Sequence, residues 1–186
     1  EAWMLDFHKT PKWSYPNGLV LKGAEELYKK NGKKEYFDYI KGYAEEMVNA
    51  DGSIKTYKIK NYNIDMLNSG NVLLYLYSVD KQDKYLKALQ LLRSQLNDHP
   101  RTSEGGFWHK QIYPHQMWLD GLYMGQPFYA NYTQIFEKGD SANKAYDDIV
   151  NQFDLIQKHL KDPKTGLLYH GWDESKEQAW ADKQTG

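Results

Sequence analysis

Apolar residues recur along this chain at intervals of three and four, and the segments that carry them are joined alternately by very short and very long connections. That period marks amphipathic helices, and runs of alternating Val, Ile and Thr that would mark strands are scarce. A helix is predicted from about Gly18 to Lys30, with Leu19, Val20, Ala24, Leu27 and Tyr28 on one face and Asn31-Gly32 as its stop. A second follows from about Lys34 to Asn49, on a stripe of Tyr36, Phe37, Ile40, Tyr43, Ala44, Met47 and Val48. The third is expected from Asp65 to Val79 and the fourth from Gln82 to Asn97. A fifth should start at Pro114, a favoured first-turn residue, and run to Glu137 with a bend at Pro127. Gly139-Asp140-Ser141 caps a sixth, from Ala142 to Leu160.

Helix pairs thus begin near Gly18, Asp65 and Pro114, a spacing of roughly 50 residues that means a stacked or toroidal helical array. Connections within pairs are short (Asn31–Lys33, Asp80–Lys81, Lys138–Ser141), and those between pairs are long (Ala50–Ile64, Asp98–Tyr113, and everything after Lys161). In such an array the long loops emerge at one end, where the odd-numbered helices begin, and long unstructured loops are usually functional. They should form one rim, with the positive N-termini of helices three and five favouring an anionic ligand. Three hairpins do not close a ring, and the sequence ends inside the third long loop at Asp182-Lys183-Gln184-Thr185-Gly186, so a longer domain is expected.

Composition narrows the function. Twenty-four basic and 25 acidic residues leave a net charge of −1, with no electrostatic footprint for nucleic acid or an anionic membrane. No segment approaches the roughly 18 unbroken apolar residues of a membrane span. The chain has no cysteine, which excludes disulfides and thiolate metal sites. It begins at Glu1 with no visible signal peptide, as a processed or trimmed N-terminus would. Sixteen Tyr, six Trp and six Phe make it rich in aromatic faces, which stack on sugar rings and also pack at half-exposed helix surfaces.

The densest chemistry lies between Gly105 and Gly121, with two Trp, two His, a Lys and a carboxylate. Asp120 falls about two turns into the expected fifth helix, between Leu119 and Gly121. Partial desolvation there suits a general acid, and a buried Asp that caps a loop is the plainer role. Asp65 opens the third helix, where a capping carboxylate contributes roughly 0.5–2 kcal/mol. The two occupy equivalent ends of successive inner helices and should meet, as the paired carboxylates of glycosidases do. His109 and His170 lie in successive rim loops, beside Trp108 and Trp172, as sugar-hydroxyl ligands would. A metal site from His109, His115, His170 and Asp120 lacks the spacing of known motifs, so no metal is expected. No nucleophile elbow, phosphate loop or dinucleotide fingerprint is present.

The run Gly106-Phe107-Trp108-His109-Lys110 through Tyr113-Pro114, then Gln116-Met117-Trp118-Leu119-Asp120-Gly121-Leu122-Tyr123-Met124-Gly125 and Pro127-Phe128, closely resembles glycoside hydrolase family 105. These are the unsaturated rhamnogalacturonyl hydrolases, related to the unsaturated glucuronyl hydrolases. Asn63-Ile64-Asp65 and Tyr169-His170-Gly171-Trp172-Asp173 match further family motifs in order. The resemblance implies an all-α (α/α)6 barrel, of which residues 1–186 cover the first three hairpins as its N-terminal half. It implies a cofactor-free hydrolase acting on an unsaturated oligosaccharide, in a bacterial cytoplasm or periplasm. Asp120 matches the acid/base that protonates C4 of a C4=C5 enol ether; water then adds at C5, and the hemiketal collapses to release the neighbouring rhamnose. Asp65 matches a supporting carboxylate. His109, Trp118 and His170 match sugar contacts, with Trp108 and Trp172 beside them, and Lys110 matches a partner for the substrate carboxylate. A non-catalytic carbohydrate- or protein-binding module and an inverting hydrolase of saturated glycans are the alternatives.

Overall fold

The computed structural model describes residues 11–181; the chain start at Glu1 and the final stretch from Asp182 to Gly186 lie outside the described residues. Among the described residues six α-helices form three antiparallel hairpins: α1 (Tyr15–Asn31) with α2 (Lys34–Met47), α3 (Gly70–Val79) with α4 (Asp83–Gln95), and α5 (Asp120–Phe136) with α6 (Asp140–Leu160). Helix α1 carries Pro in its first turn and ends on Gly32 in the left-handed conformation, whose N–H caps the Tyr28 carbonyl. Helix α5 runs through Pro127 to Phe136. No helix among the described residues is long and apolar enough to cross a membrane.

The odd helices pack against one another and form the inner layer, and each even helix packs outside its own partner. Burial follows this division. Leu73, Leu76 and Phe128 of the inner helices are sealed, whereas α2 buries one stripe of Ile40, Tyr43, Ala44 and Met47. Close approach of the inner elements depends on two glycines. A Cβ on Gly70 of α3 would lie 2.6 Å from the Phe128 ring of α5, and one on Gly125 of α5 would lie 2.7 Å from Ile64. Side chains at either position would push apart the segments that carry the carboxylates.

Two helix starts differ from the sequence expectation. Asp65 lies on a single 3-10 turn, Ile64–Leu67, and α3 begins only at Gly70. Residues 114–119 are not helical: Gln116–Trp118 is a short strand, β1, paired antiparallel with β2 (Gly171–Asp173), and α5 starts at Asp120. Asp120 is thus the first residue of its helix, not a position two turns inside it. The strand pair opposes Trp118 to Gly171 and Met117 to Trp172. Because side chains alternate across a strand, Met117 and Trp172 fall together into a small core with Leu155, Ile156 and Leu160 of α6.

The three long connections meet at one end through backbone hydrogen bonds. Ile64 N–H donates to the His109 carbonyl (3.0 Å), His109 N–H to Gln116 (2.7 Å) and Leu119 N–H to His170 (2.7 Å). Arg101 fixes the second loop to α6 by a two-pronged contact with Asp148, both distances 2.7 Å, while Gln152 accepts from Phe107 N–H at 2.8 Å.

Candidate active site

The turn at Ile64–Leu67 presents Asp65, whose N–H is capped by the Asn63 side chain at 3.0 Å. Its carboxylate is buried, with Lys110 Nζ 2.9 Å from Oδ2 and His109 Nε2 3.1 Å from Oδ1. Burial alone would push this carboxyl up; contacts with His109 and then Lys110 outweigh it and hold Asp65 below the ordinary carboxylate range. Asp65 is therefore an ionised group at neutral pH.

Asp120 enters from the first turn of α5, where the helix dipole favours a carboxylate. Its side chain is about one-third exposed, and Oδ1 lies 3.5 Å from His170 Nε2. Donor atoms of Asp65, His109 and Asp120 stand within 4.8 Å of one another, so the two carboxylates share one pocket. Asp65 Oδ1, His109 Nδ1 and Asp120 Oδ1 are all buried there without a hydrogen-bond partner, the flanking contacts being too oblique or too long to serve. Three orphaned polar atoms at one place call for an external group carrying several hydroxyls or a water. The same three residues could hold a cation, although Lys110 already faces Asp65; His115 and His170 are not part of this donor cluster.

Aromatic rings line the next wall. Trp118 stacks with His109 (centroids 4.4 Å apart, 15° between planes) and with Tyr113 (5.0 Å, 18°), and His170 is tilted against it at 5.9 Å. Lys110 Nζ stands 5.9 Å from the Trp118 ring. A cleft of about 370 Å³ opens beside Trp118, lined by Tyr169, His170, Gly171 and Trp180.

Among the residues singled out from sequence, Asp65, Asp120, His109, Lys110, Trp118 and His170 thus converge. Two do not. Trp172 is sealed in the small core and stacks flat on His159, 3.7 Å away, because its place on β2 points it from the cleft. Trp108 is tilted against His115 at 4.8 Å and lies outside that cleft. Lys110, expected to face a substrate carboxylate, is engaged with Asp65. Sequence reasoning passed over Trp180 and Tyr113. It also passed over Gln95 and His99, a buried pair that donates from Gln95 Nε2 to the Asn63 carbonyl (3.1 Å) and places His99 Nε2 2.7 Å from the Trp108 carbonyl. Polar residues on the apolar stripe at the end of α4 are the signal that could have revealed that pair.

The loop rim of this helical segment thus joins two carboxylates, two histidines and the Trp118 indole stacked on His109 and Tyr113. The model of Glycosyl Hydrolase Family 88 matches residues 1–186, and the chain belongs to that family. A glycoside hydrolase from family 105 of C. acetobutylicum ATCC 824 superposes with a TM-score of 0.89 at 48% identity, covering 95% of this chain and 48% of that one. A possible family 105 member from Salmonella enterica gives 0.73 at 26% identity, over 87% of this chain and 41% of that one. The unsaturated rhamnogalacturonyl hydrolase YesR of Bacillus subtilis is 29% identical over 167 residues, 87% of this chain and 45% of the relative. These neighbours bear out the family 105 resemblance and the (α/α) toroid fold. The chain spans about half the length of the relatives it matches.

Proposed function

We propose that this chain supplies half of a six-hairpin toroid and carries the acid/base of a hydrolase that removes a 4,5-unsaturated galacturonyl residue from rhamnogalacturonan-derived oligosaccharides. The observation that carries the reading is the meeting of Asp65, His109 and Asp120 beside Trp118, with three buried polar atoms unsatisfied. The similarity to YesR, an unsaturated rhamnogalacturonyl hydrolase, supports the substrate class.

The two carboxylates divide the work. Asp65 is held ionised by its neighbours, so it has no proton to give and serves to orient substrate hydroxyls and the pocket's positive groups. The proton donor is then Asp120, whose Oδ1 is free of hydrogen bonds. In the protonated state its O–H bond breaks as a C–H bond forms at C4, and the C4=C5 electron pair leaves positive charge at C5 and the ring oxygen. Water adds at C5 and returns its proton to Asp120, restoring the acid. The resulting hemiketal opens and the leaving sugar departs. No covalent glycosyl–enzyme bond forms, so the carboxylate separations of retaining and inverting enzymes do not apply.

Loss of the ultraviolet absorbance of the conjugated C4=C5 uronyl group is the assay, run with full-length protein and a panel of lyase products. Turnover of rhamnogalacturonan-derived products is expected. Turnover of saturated oligosaccharides alone would overturn the proposal in favour of ordinary glycoside hydrolysis.

A further inference from the structure

Trp180 belongs to none of the motifs that define the site, yet it forms the far wall of the cleft beside Trp118. Its indole is 45% exposed, unusual for so large an apolar surface. Gly171 is the floor between the two rings. A methyl built on Gly171 would lie 3.3 Å from the Trp180 ring and 3.5 Å from Trp118 Cδ1, so the two indoles flank Gly171 on the same cleft.

The cleft also has a direction. Asp120 lies between it and the Lys110–Asp65–His109 corner, reaching His170 on one side and the buried cluster on the other. The corner is polar, its lysine already facing the ionised Asp65, whereas the cleft walls are aromatic, Trp118, Tyr169 and Trp180 beside His170. Resting on the function proposed above, we infer that the cleft lined by Trp118 and Trp180 receives the leaving-group sugar, a neutral pyranose whose C–H face packs on an indole, and that Trp180 sets selectivity for it. The unsaturated uronyl ring then lies across Asp120 toward Lys110, which puts the scissile oxygen at the boundary of the two subsites.

The test compares full-length wild type with Trp180→Ala, Trp180→Phe and Gly171→Ala on two substrates. One is an unsaturated uronyl disaccharide with a neutral hexose, and the other is the methyl glycoside of the same uronyl group. For Trp180→Ala, KM on the disaccharide should rise roughly tenfold with kcat nearly unchanged, as expected for loss of one stacking partner. Values on the methyl glycoside should stay within about twofold, Trp180→Phe should recover most of the loss, and Gly171→Ala, which puts a methyl on the floor, should repeat the selective rise. An equal loss on both substrates, or none on the disaccharide, overturns the assignment. If wild type turns over neither substrate, the functional reading fails, and calorimetric titration with the disaccharide decides this one separately. Saturable binding weakened roughly tenfold in Trp180→Ala upholds the subsite, and unchanged binding removes it.

Discussion

Acid should loosen the rim through His99, and the size of the effect follows from its surroundings. His99 is only 3% exposed, with its ring edge-on to Phe107 (5.2 Å) and Tyr62 (5.7 Å). Nε2 faces the Trp108 carbonyl and so carries the hydrogen, while Nδ1 accepts from Gln95 Nε2 at 3.3 Å. Burial pushes this imidazole down to about 4, more than the Trp108 carbonyl can restore, and the charges of Arg101 and His109 act in the same direction as burial. Unfolded, the ring titrates near 6.5. As pH falls below that value the unfolded chain binds a proton that the folded chain refuses, so stability is lost progressively down to about pH 4. At 1.36 kcal/mol per unit the gap amounts to about 3 kcal/mol.

Denaturant unfolding of full-length wild type and His99→Gln, between about pH 7.5 and about pH 4.5, isolates this contribution, since Gln keeps a donor for Trp108 but does not titrate. Other groups, Asp65 among them, also respond to pH, so the measured quantity is the difference between the two proteins. Wild type should be the more stable at neutral pH, and its advantage should shrink by about 2–3 kcal/mol over the range. Parallel pH dependences in the two proteins would refute the argument, because His99 would then be accessible to protons in the native state.

The carboxylates should separate by role: Asp120→Asn in the full-length protein is expected to lower kcat at least about 10²-fold while substrate binding survives, and Asp65→Asn to cost less. Near-normal turnover in Asp120→Asn would transfer the acid role elsewhere. Gly125→Ala should clash with Ile64, destabilise the fold by roughly 1–3 kcal/mol and lower activity by displacing Asp65, readable as a reduced Tm and a reduced kcat. Residues 1–186 expressed alone should self-associate, because Tyr146, Val150 and Phe153 of α6 and Leu19 and Leu27 of α1 form exposed apolar rows at the two edges. Sedimentation of that polypeptide as a single monomeric species would count against it.

The six helices were legible because each buries one face, and a stripe at period 3.6 survives translation into sequence without distant contacts. The starts of α3 and α5 were not, for an identifiable reason. Asn63 and Pro114 are genuine helix-opening residues, but the segments after them are held by partners far along the chain: Ile64 by His109, and Leu119 by His170. The bends that lead into those segments use Tyr62 at φ 38° and His115 at φ 64°, positive values at residues that carry no glycine signal. The same long-range pairing put Trp172 in the core and Trp118 at the cleft, since a two-stranded ribbon sorts neighbours to opposite faces and a helix would not.

Asp120 was thus singled out on a premise that the structure replaces. It is no carboxylate desolvated inside a helix; it is the first residue of α5, aimed by the β1–β2 ribbon into the pocket of Asp65. The supports of that pocket come from outside it. Gln95, sealed at the end of outer helix α4, accepts from Tyr57 at 2.8 Å and donates to the Asn63 carbonyl two residues before Asp65, while His99 holds the carbonyl one residue before His109. Two rim loops therefore hang on one buried amide–imidazole pair. It follows that Gln95→Leu, which contacts no part of the proposed substrate site, should lower kcat together with Tm. The Asp120 variant should lower kcat and leave Tm alone, so the two measurements taken together separate the scaffold of this site from its chemistry.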